Sequence, residues 1–313
     1  MSANGAQRDA RQARNLDPAH VMDFSNLHLE HAPASKTVVT IVDMDVFVYG
    51  LEEIKDSKRP IAVACLSHGW ANKALHMEQM AYGVLGEARR LEQEGGRKVV
   101  RDMIAVTLDH RNHGSRRRNP NGLVFANNPL RLSQAHATLV GGVQDFQLVM
   151  DSLASYLWPR DERRIEEWMY SGVSLGGHLT WRMLRDEPRI RIGAPIVSIP
   201  PEFLAGILTR RFRVPPPEDP DNIIPSAVRG AFEYTAPPGS YANKKILSVH
   251  GAIDETIPVR LAKDEFVRIR GETDDLEVYV QDGMGHVVTP EMVARVAEWF
   301  WRWGCCAERE AKL

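Results

Sequence analysis

Five stretches of the chain, residues 61–66, 103–108, 168–173, 192–199 and 246–249, are largely apolar and do not alternate with polar residues. A strand that is apolar on both sides needs cover on both sides, which is the pattern of strands inside a parallel sheet. The segments between these runs have helical spacing. In the clearest of them Val143, Phe146, Val149, Met150, Leu153 and Leu157 recur at three- and four-residue intervals and fall on one side of a helix. Strand followed by helix, repeated, predicts an α/β fold: a mostly parallel sheet with helices on both faces. Ahead of the first run, residues 38–42 and 46–49 flank Asp43-Met44-Asp45 and read as an antiparallel hairpin that opens the sheet. At the far end Met292, Val293, Val296, Trp299, Phe300 and Trp303 form the core-facing stripe of a last helix.

A length of 313 residues fits one large α/β domain. Residues 1–35 read as a polar N-terminal extension, frayed and solvated, and residues 36–313 as the domain itself. One segment breaks the alternation. Residues 200–243 hold a helical piece around Phe203, the run Pro215-Pro216-Pro217, and an apolar stretch through Ile223, Ile224 and Phe232. An insertion of that length in a compact domain reads as a short lid over a site.

The charge balance narrows the partners. With a formal net charge of −2, no global field draws the chain to nucleic acid or to an anionic membrane, and a small-molecule substrate fits better. No apolar stretch reaches the roughly 18 to 20 residues that span a bilayer, and the first residues lack the apolar segment of a secretory signal. Cys65, Cys305 and Cys306 match neither a disulfide framework nor metal-ligand spacing. A reducing, cytoplasmic setting is the expectation, with monomer and homodimer both left open.

The chemistry gathers around Gly172-Val173-Ser174-Leu175-Gly176, which follows an apolar run and precedes a helical pattern that stops at Pro188. This is the G-x-S-x-G nucleophile elbow in its strand-to-helix setting. Small neighbours let the backbones pass closely while the Ser174 hydroxyl points outward. A serine hydroxyl is a poor nucleophile near neutrality, so it needs a base, and the base needs a group that fixes its tautomer. Downstream, the run at 246–249 leads into His250-Gly251-Ala252-Ile253-Asp254, and a strand at 276–281 leads into Asp282-Gly283-Met284-Gly285-His286. Both loops lie beyond the carboxyl ends of strands, where parallel sheets place their sites. His286 is therefore the expected base and Asp254 its orienting acid. Glu255 stands one position further round the turn, and His178 one helical turn past the serine.

A fourth component follows the first apolar run: Ser67-His68-Gly69-Trp70. An oxyanion hole takes one backbone N–H from the residue after the nucleophile and one from such a loop, so Leu175 and Trp70 are the expected donors. His68 can brace that loop or line the pocket. His178, Phe203 and Phe232 are further pocket candidates. The dense polar loop Asp109-His110-Arg111-Asn112-His113-Gly114 reads as a brace built from charge-assisted hydrogen bonds, and Arg116-Arg117-Arg118 as a solvated run.

These residues resemble the α/β-hydrolase superfamily, through an H-G-x loop at His68, a D-x-R-x-H-G loop at Asp109, the elbow at Ser174, the acid at Asp254 and the histidine at His286. The resemblance spans roughly residues 38–303 and is nearest the dienelactone-hydrolase and prolyl-oligopeptidase-like branches. It departs from both. Serine stands where the first typically has cysteine, and too few residues precede the core for the propeller of the second. The resemblance implies an eight-stranded sheet whose second strand is antiparallel, a Ser-His-Asp triad, no cofactor, and a lid after the sixth strand. It implies hydrolysis of a carboxylic ester, lactone or thioester through an acyl-enzyme. Peptide or amide hydrolysis on the same triad, and a non-catalytic ligand-binding role on the same fold, are the alternatives.

Overall fold

The computed structural model describes residues 24–119, 123, 130–200, 226, 228, 230 and 236–307. Its framework is one eight-stranded sheet in the order β1-β2-β4-β3-β5-β6-β7-β8. The strands are β1 (Lys36–Ile41), β2 (Met44–Tyr49), β3 (Ile61–Ser67), β4 (Asp102–Leu108), β5 (Ile165–Val173), β6 (Ile190–Ile196), β7 (Lys245–Gly251) and β8 (Leu276–Gln281). β2 runs antiparallel to both β1 and β4, and every other pairing is parallel.

The helices sort to the two faces as the apolar runs require. β3 and β4 are buried at every position. On one side α1 (Glu78–Glu94) and α5 (Pro290–Phe300) pack with Met80, Val84, Val293, Val296 and Phe300 on the sheet. On the other, α2 (Arg131–Leu157), α3 (Leu175–Asp186) and α4 (Lys263–Arg270) bring Phe146, Val149, Leu153, Leu179, Trp181 and Phe266. α5 starts where its sequence says: the Thr289 hydroxyl accepts from Met292 N at 3.2 Å and Pro290 occupies the first turn, where its missing N–H costs nothing. Its stripe runs on through Trp301–Cys305 in a looser π turn.

Chain direction across the sheet sets the place of the site. From β3 the chain moves to β4 on one side, and from β5 it moves to β6, β7 and β8 on the other. The crevice at the carboxyl ends of β3 and β5 is therefore the topological switch point, where open α/β sheets bind their ligands.

Two expectations meet differences, and a third falls mostly outside the described residues. The apolar run 192–199 is not one strand: β6 begins at Ile190 and ends at Ile196, because Val197 takes φ 44° and turns its N–H to Val249 O at 2.8 Å. A positive φ at a β-branched residue marks strain. Of the expected lid at 200–243, most residues, Phe203 and Phe232 among them, lie outside the described residues. In its described tail Ala236 and Tyr241 reach the core, the Tyr241 ring edge-on to Trp181 at 5.9 Å, while Pro237, Pro238 and Asn243 are exposed.

The other difference concerns the expected polar extension. Residues 1–23 lie outside the described residues, but Phe24, Leu27 and Ala34 are buried, and His31 bonds Glu87 of α1 at 3.2 Å. Apolar residues scattered through a polar stretch show no period, yet these three are buried. Gly83 makes room: a Cβ there would fall 2.1 Å from Leu27 O. Backbone cannot yield as a side-chain end can. Gly83→Ala should therefore lift this segment off α1 at a cost of about 1–3 kcal/mol. Limited proteolysis should then cut between residues 24 and 34 in the variant and not in the parent, and equal resistance would show the seat is not needed.

Candidate active site

β5 feeds straight into the turn that carries Ser174. The serine sits at φ 57° and ψ −107°, a backbone that L-residues adopt only under strain, and α3 begins at the next residue. Its N–H donates to Ile196 O at 3.0 Å and its carbonyl accepts from His178 N at 2.9 Å, so the turn is locked from both sides. Gly176 is forced by close approach: a Cβ would stand 2.1 Å from Ser67 O, the last residue of β3. The helix thus starts against the loop that holds His68 and Trp70, and the first N–H groups of α3 have no partner within the helix.

The other two side chains arrive on neighbouring loops. β7 and β8 pair in parallel, and beyond them Ala252 N donates to Gln281 O and Ile253 N to Met284 O, each at 2.9 Å. His286 stands between its partners. Its Nε2 lies 2.9 Å from Ser174 Oγ and its Nδ1 2.8 Å from Asp254 Oδ2. Asp254 Oδ1 accepts from the N–H groups of Thr256 and Ile257, both at 2.8 Å. All three side-chain-bearing residues are at most 6% exposed. An ionised carboxylate only accepts, so Nδ1 carries the ring proton and Nε2 offers its lone pair to the serine hydroxyl. Glu255 goes elsewhere: its side chain is 66% exposed and pairs with Arg260 at 3.6 Å.

The flanking residues divide. Leu175 opens α3, and Trp70 is half-buried with its indole N–H donating to Leu123 O at 3.1 Å and its ring edge-on to His113 at 5.3 Å. His68, a pocket candidate from sequence, is wholly buried with both ring nitrogens on backbone: Nδ1 on Gly69 O at 2.8 Å, Nε2 on His110 N at 3.1 Å. It braces the loop. His178 is buried within the first turn of α3, and its Nδ1 donates to Ile199 O at 3.0 Å.

The polar loop after β4 is a brace too. Asp109 accepts from Ala74 N at 2.7 Å, Ser115 N at 2.7 Å and Ser115 Oγ at 2.8 Å, tying the loops after β3 and β4 together. Arg111 and Arg116 both clamp Asp145 on α2, at 2.9 and 2.6 Å. Arg116 is thus a structural cation rather than part of a solvated run. Asp145 was legible only as one acid beside the apolar stripe of α2. Around these groups burial keeps imidazoles neutral: His110 is pushed down to about 3 by burial and then by the nearby His113, and His250, beneath the Asp254 loop, to about 4 by burial.

Solved structures share this architecture. TT1662 from Thermus thermophilus superposes with a TM-score of 0.62 at 17% identity, covering 87% of this chain and 98% of that one. The chain has the α/β-hydrolase fold. Other α/β-hydrolase-fold neighbours include the esterase Pf2001 of Pyrococcus furiosus, with a TM-score of 0.52 at 16% identity over 91% of this chain and 96% of the esterase. The acylaminoacyl peptidase of Pyrococcus horikoshii gives a TM-score of 0.55 at 14% identity over 91% of this chain and 43% of the peptidase. No family model and no curated protein matches the chain by sequence. Identities of this size carry the α/β-hydrolase fold alone, and an esterase and a peptidase both adopt it. Among the described residues no helix is long and apolar enough to cross a membrane.

Proposed function

We propose that the chain is a serine hydrolase that cleaves a carboxylic ester, lactone or thioester through an acyl-enzyme. The observation that carries this reading is the His286 imidazole held between Ser174 Oγ at 2.9 Å and Asp254 Oδ2 at 2.8 Å, on the strained turn at the switch point. In this reading Ser174 Oγ attacks the substrate carbonyl carbon while its proton passes to His286 Nε2. The carbonyl π electrons move to oxygen, and the N–H groups of Leu175 and Trp70 receive that oxyanion. Collapse expels the alkoxide or thiolate, which takes the proton from His286 and leaves Ser174 acylated. Water then repeats the sequence, releasing the acid and restoring the serine. Every proton and electron pair is accounted for without a cofactor. An ester or thioester is the less demanding substrate, because its leaving group departs as a weaker base than an amine.

A fluorophosphonate probe tests the reading. It should label Ser174, located by peptide mass spectrometry, and p-nitrophenyl ester turnover should fall in step with labelling. Turnover that survives complete labelling, or a label on another residue, would overturn it. Aminoacyl p-nitroanilides run beside the esters separate ester from amide preference.

A further inference from the structure

The peptide bond between Gly69 and Trp70 is held by its carbonyl end. His68 Nδ1 lies 2.8 Å from Gly69 O, and Asn72 N donates to the same oxygen at 3.2 Å. A carbonyl oxygen only accepts, so Nδ1 carries the ring proton. His68 Nε2 meets the backbone N–H of His110 at 3.1 Å and must therefore be the unprotonated nitrogen. Backbone partners fix the tautomer at both ends of a wholly buried ring. Burial first, then the neighbouring His110 and His113 rings, hold its pKa well below the ordinary histidine range.

A trans peptide is planar and sets its C=O and N–H on opposite sides. No cis peptide occurs among the described residues. Whatever grips Gly69 O therefore aims the Trp70 N–H the other way. Gly69 itself lies against the elbow, where a Cβ would stand 3.3 Å from Val173 O and 3.7 Å from Ser174 Cβ. The loop does not hold this shape by local preference: Ala71, the third residue of the turn closed by Asn72 N, sits at φ 62°. The Asn72 side chain is itself anchored, with Nδ2 donating to His76 Nδ1 at 3.2 Å.

We propose that His68 is the positioning residue of the oxyanion hole: by holding Gly69 O through its Nδ1–H, it turns the Trp70 N–H toward the oxygen that develops beside Ser174. This rests on the reading of Ser174 as nucleophile and Trp70 N–H as donor. His68 touches no reacting atom and acts only through the peptide plane.

Two amide substitutions separate the two ring nitrogens. In His68→Asn the Nδ2 group falls near the place of Nδ1, keeping the grip on Gly69 O and losing the acceptor for His110 N. In His68→Gln the amide reaches the place of Nε2, keeping that acceptor and losing the grip. The Gln variant should lose kcat by about 10²-fold or more, as expected for removal of a single oxyanion donor, with KM within about twofold. The Asn variant should keep kcat within about tenfold of the parent. A merely structural role predicts the reverse order, or equal losses that track the fall in Tm, and either result overturns the proposal. The tautomer is read without turnover: long-range 1H–15N correlation on the full chain should find the His68 proton on Nδ1, and a proton on Nε2 is equally fatal. A parent chain that fluorophosphonate leaves unlabelled at Ser174 sinks the nucleophile reading and the positioning role with it. A labelled parent with indistinguishable Asn and Gln variants sinks the positioning role alone.

Discussion

Ser174→Ala should lower kcat for p-nitrophenyl esters by on the order of 10⁶-fold, and adding His286→Ala to it should cost almost nothing more. The reason is the geometry of the pair. His286 Nε2 faces Ser174 Oγ at 2.9 Å and its other nitrogen is committed to Asp254, so the imidazole has no second reacting partner. With the hydroxyl gone there is no proton for it to take. Each single change should therefore remove nearly the whole covalent route, leaving the acceleration that binding and the oxyanion donors give, about 10³ to 10⁴ over water. Steady-state kinetics on the two single variants and the double variant check this. Additive losses, with the double variant below the parent by the product of the two single losses, would show that the two side chains do not act as one unit.

The same unit explains how much of the molecule could be read from its sequence. The parallel sheet was legible because β3 and β4 carry apolar runs without alternation, a pattern that demands cover on both faces. Ser174, Asp254 and His286 were legible for a related reason: each follows a strand and sits in a loop with small residues, so the topology alone sets them along one sheet edge. The structure brings them into bonding contact. The role of His68 was not legible. A histidine in a loop beside a site reads equally as lining or brace, and the deciding contact, the N–H of His110, comes from another strand's loop. Asp145 was hidden because one acid beside an apolar helical stripe resembles any solvated residue, and its two arginines lie in a loop whose path the sequence does not give. The seat of residues 24–34 was hidden too, since Phe24 and Leu27 follow no period and Leu27 depends on the space that Gly83 leaves. Chain geometry ended β6 at Ile196 although the apolar run continues to Ile199, because Val197 turns out of register to reach β7.

Asp254→Asn should lower kcat by about 10⁴-fold while leaving the fold in place. The loop decides which way the new amide points. Asp254 Oδ1 accepts from two backbone donors, Thr256 N and Ile257 N, and only the carbonyl oxygen of asparagine can take their place as acceptor. The NH₂ group is then left facing His286 Nδ1 across 2.8 Å, where the parent has a carboxylate oxygen. Two donors cannot share that gap, so the ring proton moves to Nε2 and points at Ser174 Oγ. The imidazole keeps its position and loses its capacity as a base. Long-range 1H–15N correlation should show that transfer of the His286 proton, and thermal unfolding should show a folded variant. By contrast Glu255→Gln, at a side chain 66% exposed and turned toward Arg260, should leave kcat within about twofold of the parent. Loss below tenfold in Asp254→Asn with the proton still on Nδ1 would mean that the loop amides do not set the orientation of this side chain.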